Sequence, residues 1–367
     1  AVSLVPVMGM MTDDAVGMVE AKAAEKIPID EAHFPDDNFR AFLIEEYGRY
    51  VDPSSVTDIW IELGSTEIES LAGIEYFTEL DFLGCEDIGL KELDISKNTS
   101  LTGLYCPQNN LTSLDVSQNL ALTELICWEN DLTSLDISNN SYLGLVDCGY
   151  NNLSTLDVSR NSALTDLGCS GNNLSSLDVS KNIDLIWLSC SDNNLSSLDV
   201  RNNPSLEYLY CGDNALKQLL LGENTDFEYY CDSNVQIISN GVECPSGFEY
   251  VNIDEIAHGV YQLSWEPSSI ADGYIIEQEL FSDDTECYTQ IAQIEDGRVG
   301  TYVVTGEETD EEYLMAGFRI RAYRKNGSSY FYGPYIDCYY DDYDDDIILF
   351  KDIDVDNPFY DEIYWMV

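Results

Sequence analysis

Residues 101–119 read LTGLYCPQNNLTSLDVSQN, and residues 122–140 read LTELICWENDLTSLDISNN. Both stretches carry the same residue types in the same order, 21 residues apart. Cysteine marks this register, because it stands at positions 85, 106, 127, 148, 169, 190 and 211, and an eighth follows one residue early at 231. A fixed period of this length predicts a solenoid in which each copy is stabilised by stacking on its neighbours.

Each copy contains two segments of the form L-x-x-L-x-[C/V/I]-x-x-N. The alternation in Leu104-Tyr105-Cys106 predicts a strand with leucine and cysteine inward and tyrosine outward. Leu114-Asp115-Val116 alternates in the same way, so either segment could form the parallel sheet of coils stacked about 4.8 Å apart. We expect one recurring amide to bond backbone groups of the turn, at Asn109, Asn130, Asn151, Asn172, Asn193 and Asn214.

The cysteine column is interpreted as part of the core. No C-x-x-C pair occurs, and the chain has only two histidines, His33 and His258, so the spacing does not favour a metal site. Cysteines on neighbouring coils would point in parallel, which is poor geometry for a disulfide. A free cysteine behaves as a small buried apolar residue, and we expect that role here.

The repeat units resemble the leucine-rich-repeat proteins that anaerobic Gram-positive bacteria export, a branch related to the internalins. The preamble Ile27-Pro28-Ile29-Asp30 with Phe34-Pro35, and the line from Ile68 to Leu80, belong to the same type. The resemblance covers about residues 27–240 and implies a leucine-rich-repeat solenoid of parallel stacked coils. Residues 36–47 predict a helix that caps its open end, with Asp36 or Asp37 as N-cap.

After residue 241 the period is lost and short alternating segments follow, at 260–267, 273–278, 288–294, 318–323 and 330–334. This spacing predicts an all-β, immunoglobulin-like sandwich, and the L-S-W-x-P, A-D-G-Y and R-I-R-A-Y elements resemble a fibronectin type III domain. We therefore divide the chain into a leader at 1–25, a helical cap at 26–55, the solenoid at 56–240, the sandwich at 241–336 and an acidic, aromatic tail at 337–367.

The two ends of the chain bear on localisation. The apolar stretch at 1–11 and the Ala21-Lys22-Ala23 cleavage-like site predict a signal-peptide remnant, and hence a secreted or cell-surface protein. No segment is long and apolar enough to predict membrane insertion. The tail motif around Asp352, Asp354 and Asp356 lacks the glycine and the twelfth-position glutamate of a calcium loop, so we expect it to dock or stay flexible.

The chain is strongly acidic: 16 Lys and Arg against 69 Asp and Glu give a formal charge of −53. Such a surface repels phosphate backbones and anionic lipid, so nucleic-acid and membrane-surface partners are not expected. It favours a soluble monomer. No motif of nucleophile, general base, phosphate loop or metal pair stands out, so the chain is predicted to be no enzyme and to need no cofactor or metal.

The predicted function is non-catalytic protein binding or adhesion through the solenoid face. Exposed aromatic rings anchor interfaces, and carboxylates favour a protein partner with a basic surface. A glycan that stacks on the same rings, and a passive structural spacer, remain alternatives. If the cysteine segment forms the concave strand, the candidate binding residues are Tyr105, Glu124, Trp128, Glu129, Asp147, Tyr150, Asp166, Trp187, Asp192, Tyr208, Tyr210 and Asp213.

Overall fold

A computed structural model describes residues 26–61, 68–223, 226–232, 234–245, 251–257, 260–282, 285–305, 317–326 and 329–339. The predictions for the leader at 1–25 and for the calcium-like tail motif lie outside the described residues. In the part of the chain that is described, no helix combines the length and apolarity that a membrane span requires.

The amino-terminal region consists of one helix and a pair of short antiparallel strands on either side of it in the sequence. Helix α1 (Asp37–Tyr47) begins where the Asp36 carboxylate accepts hydrogen bonds from the N–H groups of Asn38 and Phe39, both at 2.9 Å. Phe39 and Leu43 are fully buried on its inner face, so the predicted helix is present. Strand β1 (Ile27–Pro28) pairs antiparallel with β2 (Tyr50–Val51), and two 3-10 turns follow, Pro53–Ser55 and Ile74–Tyr76.

The cysteine-bearing segments form one parallel sheet of nine strands, numbered along the chain. Neighbouring coils align residue for residue, as in the pairing of Leu125 with Val146 and of Val146 with Leu167. The strands are β3 (Asp58–Ile61), β4 (Phe82–Cys85), β5 (Gly103–Tyr105), β6 (Glu124–Ile126), β7 (Leu145–Asp147), β8 (Asp166–Gly168), β9 (Trp187–Ser189), β11 (Tyr208–Tyr210) and β13 (Glu228–Tyr230).

The second segment of each coil is different. It forms strands only towards the carboxyl end, in a sheet of β10 (Ser197–Asp199), β12 (Gln218–Leu221), β14 (Gln236–Ser239) and β15 (Val242–Cys244). In earlier coils a carboxylate holds a local turn instead: Asp115 Oδ1 accepts the N–H of Ser117 at 2.9 Å, and Asp136, Asp157 and Asp178 repeat this bond. Of the two candidate segments, the cysteine segment therefore forms the parallel sheet that runs along the solenoid.

Two columns of buried asparagine hold the coils together. Asn130 Nδ2 donates to the carbonyl of Cys106 one coil earlier at 3.0 Å, and its Oδ1 accepts the N–H of Leu111 at 3.0 Å. This confirms the turn-bonding role predicted for that column. In a second column, Asn119 Nδ2 donates to the carbonyl of Asn98 at 2.8 Å, and the same bond recurs at Asn140, Asn161, Asn182 and Asn203.

The cysteine column lies inside the solenoid. All seven sulfurs of the regular coils are buried and unbonded to one another. Burial raises the pKa of the Cys85 and Cys190 thiols to about 12, so the reactive thiolate is disfavoured. Cys148 Sγ has a weak hydrogen bond to the carbonyl of Gly168 at 3.4 Å. Burial and protonation together favour a packing role for this column.

The carboxyl-terminal unit is built from two antiparallel sheets. One contains β16 (Val251–Ala257), β17 (Val260–Trp265) and β20 (Thr301–Thr305); the other contains β18 (Gly273–Ser282), β19 (Thr285–Ile294), β21 (Gly317–Asn326), β22 (Ser329–Tyr332) and β23 (Ile336–Tyr339). Their inner faces share one core, in which Leu263, Tyr274 and Ile320 are fully buried. The structure thus shows two antiparallel sheets over a shared core, while the immunoglobulin-like sandwich and its fibronectin type III assignment stay predictions.

Candidate functional site

The outward side chains of the nine parallel strands form one surface, which we call the sheet face. The middle residue of each three-residue strand points into the core, as do two residues each of β3 and β4, so the alternate residues point out. The first outward column contains Asp58, Phe82, Gly103, Glu124, Leu145, Asp166, Trp187, Tyr208 and Glu228. The second contains Trp60, Gly84, Tyr105, Ile126, Asp147, Gly168, Ser189, Tyr210 and Tyr230.

A sharp turn follows each strand and borders the sheet face. In this turn, the residue two positions after each cysteine has a left-handed backbone conformation. The angle φ lies between 46° and 52° at Asp87, Gln108, Glu129, Tyr150, Asp192 and Asp213. Gly171 takes this position in one coil, with φ 63°. The left-handed residue reverses the chain so that the following asparagine points inward. These turn residues therefore present their side chains at the border of the sheet face.

The structure places the predicted binding residues in two groups. Seven lie on the strands of the sheet face: Tyr105, Glu124, Asp147, Asp166, Trp187, Tyr208 and Tyr210. Five lie in the bordering turns: Trp128, Glu129, Tyr150, Asp192 and Asp213. One of them is not accessible, because Tyr105 is only 6% exposed.

Trp60 explains the burial of Tyr105. Its indole ring stacks on Phe82, with centroids 5.4 Å apart, and on Tyr105 at 5.2 Å. The ring crosses the position of Gly84, where a Cβ atom would lie 2.3 Å from Trp60 Cε3. Trp60 is itself 47% exposed, so it replaces Tyr105 as the accessible aromatic residue at this end.

Sequence reasoning missed Trp60 for an identifiable reason. In the register of the sheet, Ile61 pairs with Cys85, so this first coil is 24 residues long and falls outside the 21-residue period. The alternation Ile59-Trp60-Ile61 was the available signal. The sheet face also carries outward residues that the prediction did not include, although the same alternation marks them: Phe82, Ile126, Leu145, Glu228 and Tyr230.

A second aromatic cluster lies at the carboxyl end of the sheet face. The rings of Tyr210 and Tyr230 stack with centroids 5.2 Å apart and an interplanar angle of 3°. Trp187 lies next to them, 6.4 Å from Tyr210, and Tyr208 is 40% exposed in the other column. Four large rings on three neighbouring strands make this the largest aromatic surface of the sheet face.

The centre of the sheet face carries Asp147, which is half-buried. Its carboxylate extends across Gly168 on the next strand, and Oδ1 accepts the N–H of Gly149 at 3.0 Å. No basic side chain of the described residues pairs with it. Burial raises the pKa of this carboxyl to about 6, because the charged form loses hydration that a single hydrogen bond does not replace.

Charge is segregated around the solenoid. Five carboxylates stand on the strands of the sheet face, and six more in its turns: Glu86, Asp87, Glu129, Asp192, Asp213 and Asp232. Within the described strands and turns, no Lys or Arg occupies any of these positions. The basic residues of these coils all stand in the second segment, away from the sheet face: Lys91, Lys97, Arg160, Lys181, Arg201 and Lys217.

Other features of the described residues do not compete with this surface. No group of three His, Cys, Asp or Glu side chains among them is placed to hold a metal ion. A cavity of about 540 Å³ lies in the carboxyl-terminal unit beside Ser268, Asp272 and Arg298. Another of about 220 Å³ lies beside Val235, Glu243 and Ile270. Neither cavity is lined by a residue of the sheet face.

Coils of 21 residues with inward columns of leucine, cysteine and asparagine define a leucine-rich-repeat solenoid. No protein-family model matches the sequence, and no curated protein matches it. The similar solved structures include the functional domain of InlJ from Listeria monocytogenes, described as including a cysteine ladder. It is 19% identical, with a TM-score of 0.37, over 85% of this chain and 98% of that one.

Two further solved structures are similar over about half of this chain. The leucine-rich-repeat domain of APL1 is 22% identical, with a TM-score of 0.41, over 51% of each chain. YopM from Yersinia enterocolitica WA-314 is 23% identical, with a TM-score of 0.38, over 56% of this chain and 44% of that one. At these identities the similarities concern the repeat architecture alone, and no ligand follows from them.

Proposed function

We propose that the chain is a non-enzymatic binding protein whose sheet face takes a protein partner with a basic surface. The observation that carries this proposal is the charge segregation: a face lined by carboxylates from end to end bears no Lys or Arg in its described strands and turns. Opposite charge on a partner would speed encounter and select against acidic competitors. Core packing does not explain this segregation of charge, because the side chains concerned point outward.

The aromatic clusters supply the second element that an interface needs. Charges at a rim add little affinity, whereas buried aromatic side chains contribute most of it. Trp187, Tyr208 and Tyr210 are placed to become buried on association, next to Asp166 on the preceding strand. A partner that brings arginine to this place would pair with a carboxylate and stack on a ring in the same contact.

The fold itself provides an example of that chemistry. Glu228 is the carboxylate of the sheet face that has an ion-pair partner among the described residues, and the partner is Arg319 of the carboxyl-terminal unit. The Arg319 guanidinium also lies over the ring of Tyr288, 3.9 Å from its centroid. Tyr288 belongs to the carboxyl-terminal unit, so the sheet face contributes the carboxylate alone to this contact. The pair supports a partner that brings a basic side chain over a neutral glycan.

Extracellular placement belongs to the same proposal. The predicted signal-peptide remnant and the strongly acidic composition support a secreted or cell-surface protein. In that setting the sheet face would meet proteins of other cells or of the surrounding medium, and adhesion is the corresponding role. A monomer suffices for this function, because the sheet face is complete within one chain.

A capture experiment tests the proposal. The full chain is immobilised and exposed to surface proteins of host and microbial cells, beside the double variant Tyr208→Ala/Tyr210→Ala. Tyr142→Ala is the matched control, because Tyr142 is 68% exposed in a loop outside the sheet face. We expect a partner retained by the wild type and the control and lost by the double variant. Equal retention by all three proteins would refute the sheet face as the binding surface.

A further inference from the structure

Two arginines of strand β21 reach from the carboxyl-terminal unit to the end of the solenoid. Arg319 pairs with Glu228 of strand β13 and, through Nε, with Glu277 Oε2 of its own unit at 2.7 Å. Arg321 Nη2 lies 2.6 Å from Asp226 Oδ1, just before β13. Both carboxylates therefore stand at the last strand of the sheet face and receive their positive partners from the other unit.

Tyrosine rings fix both guanidinium groups. Arg319 lies between Tyr288 and Tyr335, with ring centroids 3.9 and 4.0 Å from its Cζ. Arg321 lies over Tyr332 at 4.0 Å and over Tyr335 at 4.3 Å. Their side chains are only 13% and 7% exposed. Their partners differ, because Glu228 is 24% exposed and Asp226 is 64% exposed. The stacked rings and the burial of the two guanidinium groups, rather than full burial of both pairs, hold their geometry.

Apolar and neutral contacts surround the charged ones. Tyr229, the fully buried middle residue of β13, donates its hydroxyl to the carbonyl of Tyr332 at 2.6 Å. Phe331 of β22 is 6% exposed and belongs to the solenoid core rather than to the core of its own unit. Arg324 Nη1 adds a hydrogen bond to the carbonyl of Glu243 at 3.1 Å. The carboxyl end of the solenoid is thus covered by strand β22.

We infer that Arg319 and Arg321 clamp the carboxyl-terminal unit onto the solenoid and thereby position β13, the last strand of the sheet face, for the partner. The first half of this inference stands on the contacts alone, and the second half rests on the proposed function. A repeat array exposes the apolar surface of its last coil unless something covers it, and here a separate unit covers it. The unit is then a fixed part of the binding protein.

The clamp has a consequence for the aromatic cluster at the carboxyl end. Tyr230 follows Tyr229 directly and stacks on Tyr210, so the position of β13 determines the position of that stack. Strand β13 is the edge of the sheet face, with β11 on one side and no strand of the described residues on the other, so its support on that side comes from the carboxyl-terminal unit. Edge strands without tertiary support exchange their amide protons most readily. Arg319 and Arg321 are in this sense positioning residues for the sheet face.

Hydrogen exchange on the full chain, without any partner, tests the clamp. In the double variant Arg319→Gln/Arg321→Gln we expect the amides of β13 to exchange at least tenfold faster, while those of β6 and β7 stay unchanged. Arg298→Gln is the matched control, because that arginine is 90% exposed and pairs with Asp296 inside the carboxyl-terminal unit. Unchanged protection of β13 in the double variant would overturn the inference.

Milder variants guard against simple misfolding. Arg321→Lys keeps a charge for Asp226 but loses the flat stacking surface, so we expect exchange intermediate between the wild type and Arg321→Gln. Tyr229→Phe removes only the hydroxyl bond to Tyr332 and should raise β13 exchange without unfolding the coil. Small-angle scattering should show larger maximum dimensions for the double variant only. Equal dimensions and equal exchange in all variants would contradict the clamp.

The outcomes separate this inference from the proposed function. Partner capture that survives Tyr208→Ala/Tyr210→Ala, together with fast β13 exchange in the arginine variant, would refute the sheet face and leave the clamp intact. Partner loss in the tyrosine variant, with unchanged β13 exchange in the arginine variant, would refute the clamp and leave the sheet face intact.

Discussion

Asp147 and Gly168 lie opposite each other on neighbouring strands, and the carboxylate of Asp147 occupies the space that a side chain at position 168 would need. A Cβ atom at Gly168 would stand 2.6 Å from Asp147 Oδ1. The missing side chain lets an acidic group rest against the sheet, half-buried and without a counter-ion among the described residues. A carboxylate held this way costs stability, and binding a cationic group from a partner would relieve that cost.

The first prediction is that Asp147→Asn stabilises the protein at neutral pH. Because the folded-state pKa is raised to about 6 from 3.8, the folded protein keeps a proton there that the unfolded chain releases. Stability is therefore lost as the pH rises from about 4 to about 6, and the loss persists above that window. We expect Asp147→Asn to gain about 1–3 kcal/mol in free energy of unfolding at pH 7.5 and nothing at pH 4.

Asp115→Asn is the control for that experiment, and we expect its effect on stability at neutral pH to have the opposite sign. The pKa of Asp115 is lowered by hydrogen bonds from the Ser117 side chain and backbone, so its contribution is present at neutral pH and lost as the pH falls. Urea unfolding of both variants at pH 4 and pH 7.5 measures the difference. A gain in free energy of unfolding for Asp115→Asn, or no gain for Asp147→Asn at pH 7.5, would contradict a destabilising, desolvated carboxylate at Asp147.

A second prediction concerns the asparagine columns. Asn151 Nδ2 donates to the carbonyls of Cys127 and Gly149, both at 3.0 Å, and its Oδ1 accepts the N–H of Leu132 at 2.9 Å. Asn151→Ala leaves the buried N–H of Leu132 without its acceptor, while the carbonyls of Cys127 and Gly149 keep bonds from Asn130 Nδ2 and the Glu129 N–H. We therefore expect a loss of about 2 kcal/mol. The adjacent Asn152 is exposed, and Asn152→Ala should cost less than about 0.5 kcal/mol. Chemical denaturation measures both, and equal losses would rule out the ladder of amide bonds.

The cysteines give a third prediction. Burial raises the pKa of the thiols of Cys85, Cys106, Cys127, Cys148, Cys169 and Cys190, whereas Cys231 is partly accessible. In native protein treated with iodoacetamide at pH 8, we expect Cys231 to be alkylated well before Cys106, Cys127 or Cys148. Peptide mapping by mass spectrometry measures this order. Alkylation of the buried column as fast as Cys231 would mean that the coils open easily or that the column is reactive.

How far the sequence predicts this molecule depends on how regular each part is. The 21-residue spacing of cysteine, leucine and asparagine is enough to predict the coil and its inward columns, because every coil repeats the same packing. The outward positions carry no repeated constraint. That Tyr105 is covered depends on Trp60 crossing a glycine on the strand between them, and no local pattern around Tyr105 reveals it.

The junction of the two units was equally inaccessible from the sequence. Arg319 and Arg321 read as ordinary outward residues of a strand, since their partners Glu228 and Asp226 lie more than ninety residues away. Only the packed structure shows that these arginines, from a chain with few basic residues, face the acidic end of the solenoid. Long-range charge pairs of this kind have no periodic signature.

A fourth prediction concerns the rate at which a basic partner associates. Carboxylates on the sheet face should steer such a partner, so Asp166→Asn should slow association several-fold at 50 mM salt and less at 500 mM. Asp136 stands on the other side of the coil, where it holds a turn through the Ser138 N–H at 3.0 Å. Asp136→Asn should leave association nearly unchanged, as surface plasmon resonance can measure. Equal effects of the two changes would indicate general charge attraction without a preferred face.

Carboxylate footprinting tests the central claim most directly. The full chain is labelled with a carbodiimide and an amine, with and without the captured partner, and each modified carboxylate is located by mass spectrometry. We predict that the partner protects Glu124, Asp166 and Asp192, while Asp115, Asp136 and Asp157 are labelled equally in both samples. Protection of Asp115, Asp136 and Asp157, with Glu124, Asp166 and Asp192 labelled as in the free protein, would contradict the assignment of the sheet face as the binding surface.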